Sequence, residues 1–334
     1  MRYPPLLRAA FFHGLAPSPN KKLVKRKVND ENVMISELHF AIFQLDKGEH
    51  SVNVISIPML AALLLILANC GAQAAGNKSK AAAPTVQKKV STPPEDPFLL
   101  LQKAAAQGVA EAQYNLGWKY SKGDGVLKDA AKSFEWFHKA ATQGHTEAQF
   151  FLGVMYAKGE GISKDSAKAI EWFQKAAAQG HAEAQFFLGV IYAYGEGVPK
   201  DVAKAMEWYQ KAAAQGHAEA QYNLGWMYSN GEGVLKDVAK TFEWFQKAAA
   251  QQHAEAQYNL GVMYRDGEGV PKDAAKAIEW LQKAAAQQHA EAQYNLGLMY
   301  RDGEGVTKDT TKAIEWFQKA ASQGHAKAQF LLNM

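Results

Sequence analysis

Residues 110–145 read AEAQYNLGWKYSKGDGVLKDAAKSFEWFHKAATQGH. Ala112, Leu116 and Tyr120 fall at four-residue spacing beside Gly117, the one-sided pattern of an amphipathic helix, and Tyr114 and Trp118 form a second stripe. Gly123-Asp124-Gly125-Val126 ends that helix, because glycine accepts the left-handed conformation that closes one; Val126 is placed to fold back as an apolar plug. Asp129 is positioned to cap a second helix, in which Phe134, Phe137, Ala140 and Ala141 face one way and Gly144 stops the run. A lone helix pair of this kind leaves apolar surface exposed until a neighbour covers it.

The neighbours are in the sequence. Leu-Gly returns at Gly153, Gly189, Gly225, Gly261 and Gly297, and Glu-Trp at Trp172, Trp208, Trp244, Trp280 and Trp316, a period of 36 without insertion or deletion. Six full units span 110–325, preceded by half a unit (98–109) and followed by the opening of another (326–334). A fixed period in this range predicts an all-α protein, an α-solenoid of six helix-turn-helix repeats with half repeats at both ends. Gln252 and Gln288 replace the glycine that ends the second helix, so those turns are expected either to hold a strained residue or to use a different cap.

The recurring string A-E-A-Q-Y-N-L-G-W-x-Y-x-x-G-x-G-V-x-x-D-x-A-K-x-x-E-W-x-x-K-A-A resembles the Sel-1-like repeat, a relative of the tetratricopeptide repeat. The resemblance covers 98–334 and implies a right-handed superhelix used mostly for protein–protein interaction. One cysteine-rich branch of that family bridges its helices by disulfides and is linked to penicillin binding. The repeats here contain no cysteine, so neither property carries over.

Residues 98–334 hold 25 Lys and Arg against 26 Asp and Glu, a nearly neutral body without the basic stripe that nucleic acid requires. The remainder reads as an export segment and a tether. Residues 55–68 (ISIPMLAALLLILA) are apolar but for Ser56, and the unbroken stretch from Met59 is about half of the ~20 residues a spanning helix needs. Ala72-Gln73-Ala74 then supplies small residues for cleavage, while Leu67-Ala68-Asn69-Cys70-Gly71 resembles a bacterial lipoprotein signal with Cys70 as the lipidation candidate and membrane tether. The expected organisation is an N-terminal extension (1–50) upstream of an ordinary start, a signal peptide (51–74), a Lys/Ala/Pro-rich linker (75–97) and the solenoid (98–334). The expected destination is the periplasm, the outer membrane as an anchored lipoprotein, or the exterior.

Catalytic motifs are not convincing. The Gly159-Glu160-Gly161 turn and its copies lack the third glycine of a phosphate loop and place an acid where phosphate would sit. The histidines at 145, 181, 217, 253, 289 and 325 recur one per unit, on the order of 10 Å apart by helix packing, too far for shared metal bonds near 2 Å. Capping is their expected role. No cofactor, metal or active site is expected; the alternatives are a cell-envelope hydrolase or penicillin-binding activity like that of the cysteine-rich branch, or a host-contacting surface factor.

Binding is therefore sought where units differ. Aligning Leu116-Gly117 with the equivalent pair of tetratricopeptide repeats turns Tyr114, Trp118 and Lys122 towards the concave face. The first series is Tyr114, Phe150, Phe186, Tyr222, Tyr258 and Tyr294, beside Trp118, Val154, Val190, Trp226, Val262 and Leu298. Trp118 and Trp226 stand out as anchors because valine fills that position in three other units. Asn115, Asn223, Asn259 and Asn295 flank the stripe, with Phe151 and Phe187 in units two and three, and the resemblance suggests that such amides grip an extended segment. Lys122 and Lys158 occupy one end, Arg265-Asp266 and Arg301-Asp302 the other, giving a bound segment a direction. The expected function is an exported scaffold or adaptor for a protein or peptide.

Overall fold

The computed structural model describes residues 96–333, and the extension, the signal segment with Cys70 and the linker up to residue 95 lie outside the described residues. Every described element is helical. Helix α1 (Pro97–Ala106) is followed by six pairs: α2 (Ala110–Lys122) with α3 (Ala130–Thr142), α4 (Thr146–Lys158) with α5 (Ser166–Ala178), α6 (Ala182–Tyr194) with α7 (Val202–Ala214), α8 (Ala218–Asn230) with α9 (Val238–Ala250), α10 (Ala254–Asp266) with α11 (Ala274–Ala286), and α12 (Ala290–Asp302) with α13 (Thr310–Ser322). Helix α14 (Ala326–Leu332) opens the next unit. Each helix packs chiefly on the helices before and after it in sequence, which makes the body an all-α solenoid.

The caps explain why all the full-unit helices have the same length. At the start of each second helix an aspartate accepts a backbone N–H three residues on, as Asp129 does from Lys132 at 3.0 Å and Asp201 from Lys204 at 3.0 Å. The same bond holds the carboxyls of Asp129, Asp165, Asp201 and Asp273 below the usual range. Second helices close in a doubly bonded turn: after α9, Gln252 N–H donates to Ala249 and His253 N–H to Ala248. That turn demands a left-handed residue. Glycine provides it at 108, 144, 180, 216 and 324, whereas Gln252 and Gln288 are forced to φ 65°, so the strained alternative is the one adopted.

Close packing within a pair depends on the Leu-Gly glycine. A Cβ added at Gly117 would lie 2.9 Å from the Phe137 ring, and one at Gly225 would lie 2.6 Å from Phe245. The leucine beside it (Leu116, Leu152, Leu188, Leu224, Leu260, Leu296) is fully buried in every unit, with the second-helix ring or Leu281 opposite.

A polar ladder runs beside this apolar column. Gln113, Gln149, Gln185, Gln221, Gln257 and Gln293 are buried. Gln221 donates to the Ala213 carbonyl of the preceding unit at 3.1 Å and accepts from Gln251 at 2.8 Å, and the pattern recurs at every seam. Because a buried amide without partners costs about 1–3 kcal/mol, a satisfied ladder fixes the register of stacking rather than merely adding cohesion. On the other flank, Lys139, Lys175, Lys211, Lys247, Lys283 and Lys319 lay their ammonium groups 3.8–4.2 Å from the centres of the Trp rings one turn earlier. These lysines are exposed and also shield tryptophan.

Candidate partner-binding surface

The surface presented by the first helices is defined by what the seams consume. At each junction a histidine does three things. His217 Nδ1 accepts the Ala220 N–H at 3.3 Å, capping α8; its Nε2 lies 2.8 Å from Glu183 Oε2; and its ring stacks on Phe186 with centres 4.6 Å apart. Since Nδ1 accepts, the proton sits on Nε2, which donates to the carboxylate. The other five junctions repeat the cap and the stack: Tyr114 with His145, Phe150 with His181, Tyr222 with His253, Tyr258 with His289, and Tyr294 with His325. One consequence is visible at Glu219, whose carboxyl is held below the usual range by the hydrogen bond from His253.

The Tyr/Phe series of the predicted groove is therefore placed at the seams. Phe150, Phe186 and Tyr222 are buried, and Tyr114, Tyr258 and Tyr294 are half-buried. Burial pushes the hydroxyls of Tyr114, Tyr222 and Tyr258 above the usual range.

Three of the flanking amides are engaged within the protein, and Asn223 is buried with its Nδ2 lacking a hydrogen-bond partner. Asn115 Nδ2 donates to Glu111 Oε1 at 3.2 Å; Asn295 donates to the Glu291 carbonyl at 3.0 Å and accepts from Arg265 at 2.8 Å. Asn259 meets the Tyr222 hydroxyl. Asn223 is buried against the hydroxyl of Tyr209, the one tyrosine at a position where the other second helices carry Phe or Leu. Arg265 forms a fork with its own neighbour Asp266, at 2.7 and 2.9 Å, and Arg301 does the same with Asp302 at 2.8 Å, so these pairs are internally neutralised. The arginine in each case holds the aspartate carboxyl below the usual range.

What remains open lies at the N-terminal half of this surface. Trp118 is 37% exposed. Its ring meets Phe151 of the next unit at 5.0 Å, and Lys122 Nζ sits 4.8 Å from its centre. Phe151 in turn stacks on Phe137 at 5.5 Å and touches Tyr114, so Trp118 rests on a rigid aromatic floor. Trp226 is half-buried. Sequence reading passed over Phe151 as a mere replacement for asparagine; its adjacency to Trp118 across the seam, 33 residues on, is the signal that a 36-residue register supplies.

Among the described residues there is no group of three side chains suited to hold a metal ion, and no helix is long and apolar enough to cross a membrane.

The period, the Leu-Gly contact and the repeated seams are those of a known module. The Sel1 repeat model matches residues 98–109, 110–145, 146–181, 182–217, 218–253, 254–289 and 290–325. The chain belongs to the Sel1 repeat family. Sel1 repeats generally mediate protein–protein interaction. Among solved structures, this Sel1 array is similar to a protective antigen of uropathogenic Escherichia coli strains with the same fold, at 38% identity and a TM-score of 0.69, over 70% of this chain and 50% of that one. The chain thus spans about half the length of that relative. It is also similar to a Sel1 repeat protein from Oxalobacter formigenes, at 36% identity and a TM-score of 0.60, over 67% of this chain and 89% of that one. No curated protein matches the chain.

Proposed function

We propose that this Sel1 array is an exported, non-catalytic scaffold that binds a protein or peptide partner along its first-helix surface. The observation that carries the reading is Trp118: a large ring left open on an aromatic floor, at a position where valine suffices in three other units. Tryptophan so placed is the residue type most often found to dominate a protein interface. Trp226 occupies the same position three units on, which sets the two on the order of 30 Å apart at ~10 Å per unit, a span suited to an extended or helical segment.

The export part rests on the short apolar run at 59–68, the Ala72-Gln73-Ala74 site and the lipoprotein-like surroundings of Cys70. The periplasm, a lipid tether on the outer membrane, or secretion is the destination it supports.

The test replaces both tryptophans by the valine found elsewhere. Trp118→Val with Trp226→Val should leave the helical spectrum intact and weaken capture of the partner from native cells by about 30-fold, or ~2 kcal/mol. Capture unchanged per folded molecule, with the fold destabilised, would show that the tryptophans serve the core alone.

A further inference from the structure

The first-helix surface changes chemistry along its length. In unit one the last-turn position carries Lys122 and in unit two Lys158; the equivalent positions further on are Tyr194, Asn230, Asp266 and Asp302. Towards the C-terminal end the charges cancel in Arg-Asp forks. At the N-terminal end they do not cancel. Among the described residues neither Lys122 nor Lys158 has a carboxylate within ion-pair distance, and the Lys122 ammonium lies over the Trp118 ring.

Of the acids nearby, three are held within the protein, while Glu160, two residues after Lys158, is exposed and has no ion pair among the described residues. Glu111 is held by Asn115 and by His145 Nε2 at 3.1 Å, and lies seven residues before Trp118, about 10 Å along the helix axis at 1.5 Å per residue. Glu147 is held by His181 at 3.1 Å, and Asp124 by Lys119 at 2.9 Å. Two ammonium groups without a carboxylate partner, on the order of 10 Å apart by the helix-packing distance, therefore stand at the last turns of α2 and α4: Lys122 beside the Trp118 ring, and Lys158 seven residues beyond Phe151, about 10 Å along its helix.

We infer that units one and two form an acidic-peptide station: an extended segment of the partner lays an apolar side chain on Trp118 and Phe151 and sets carboxylates against Lys122 and Lys158. The inference rests on the scaffold reading and adds the partner's chemistry and its direction, with the acidic part of the segment at the N-terminal end of the array. Lys122 is exposed beside the ring, so its pairing with a carboxylate is a modest, salt-screened attraction that adds charge preference and direction to the apolar contact on Trp118.

The probes are fluorescein-labelled twelve-residue peptides alternating Glu/Leu, Lys/Leu, Ser/Leu and Glu/Ser, titrated onto the full chain by anisotropy at low and physiological salt. An extended dodecamer reaches about 40 Å. The Glu/Leu peptide should bind at least tenfold tighter than each of the other three, and Lys122→Gln with Lys158→Gln should remove about tenfold of that affinity and flatten its salt dependence. Trp118→Val should weaken the Glu/Leu peptide in both backgrounds. Equal binding of the Lys/Leu peptide, no loss in the double glutamine variant, or no binding by any peptide overturns the acidic station. If peptides of every charge bind and all are weakened by Trp118→Val with Trp226→Val, the scaffold surface stands and only the acidic preference falls. Glu/Leu binding that survives both the lysine and the tryptophan changes sinks both readings.

Discussion

The seam histidine offers the sharpest test of how the solenoid is held together, and the junction between the third and fourth units is the place to apply it. His217→Ala removes the cap on α8, worth ~1 kcal/mol, and the stack on Phe186, worth ~0.5–1.5 kcal/mol. It also removes the bond to Glu183, whose side chain is 46% exposed, so that solvent screening leaves ~0–1 kcal/mol. The expected loss is about 2–3 kcal/mol. His217→Asn restores the cap, because asparagine is among the best residues there, but restores neither ring nor carboxylate contact, and it should recover ~1 kcal/mol. Urea unfolding of both variants, compared at midpoint with a common slope, reads the difference. An alanine loss below ~0.5 kcal/mol, or an asparagine variant no better than alanine, would refute the threefold role assigned to the ring.

Three further outcomes are expected. Gln252→Gly and Gln288→Gly relieve the left-handed strain at ~1–2 kcal/mol per residue against a chain-entropy cost of ~0.4–1 kcal/mol; each should stabilise the body by about 0.5 kcal/mol, and a lowered melting temperature for the pair would contradict the strain. Asp201 has its carboxyl pKa lowered by the Lys204 N–H, so its contribution is present above the ordinary 3.8 and lost as pH falls through the folded value. Asp201→Asn caps without titrating, so the wild type should lose stability relative to it below that pH, and a gap constant with pH would count against the cap. Intact-mass measurement on protein from the native host should show removal of everything before Cys70 or Ala75, with a diacylglyceryl mass selecting lipidation; an unprocessed cytoplasmic chain would overturn export.

Much of the fold was legible because a repeat prints its own statistics. Asp129 could be named as an N-cap from one unit, and five further units repeated the same placement. The turn glutamines were legible only as an alternative, strain or a different cap, because a position that is glycine in its siblings marks a left-handed turn without saying whether glutamine keeps it; the structure takes the strained one. The candidate surface was less legible. Tyr114 and its successors form an apolar stripe in sequence whether they face a partner or a seam, and only the stacking on the histidine that closes the same unit and caps the next one distinguishes the two. The glutamine ladder was not read at all, because a polar residue on a helix looks solvated until the carbonyl of the preceding unit is brought to it.

By itself, then, the sequence determined the period, the helix lengths, the capping residues and the small-residue contact at Gly117, because each depends on neighbours within about one turn or on the repeat register. The tertiary structure decided how side chains are shared between units. It is stacking that buries Gln221, turns His217 into a clamp, folds Arg265 onto Asp266 beside Asn295, and leaves Trp118 in the open on the half-buried Phe151. Those outcomes rest on contacts about 30 to 35 residues apart, whose partners are chosen by the packing of adjacent units.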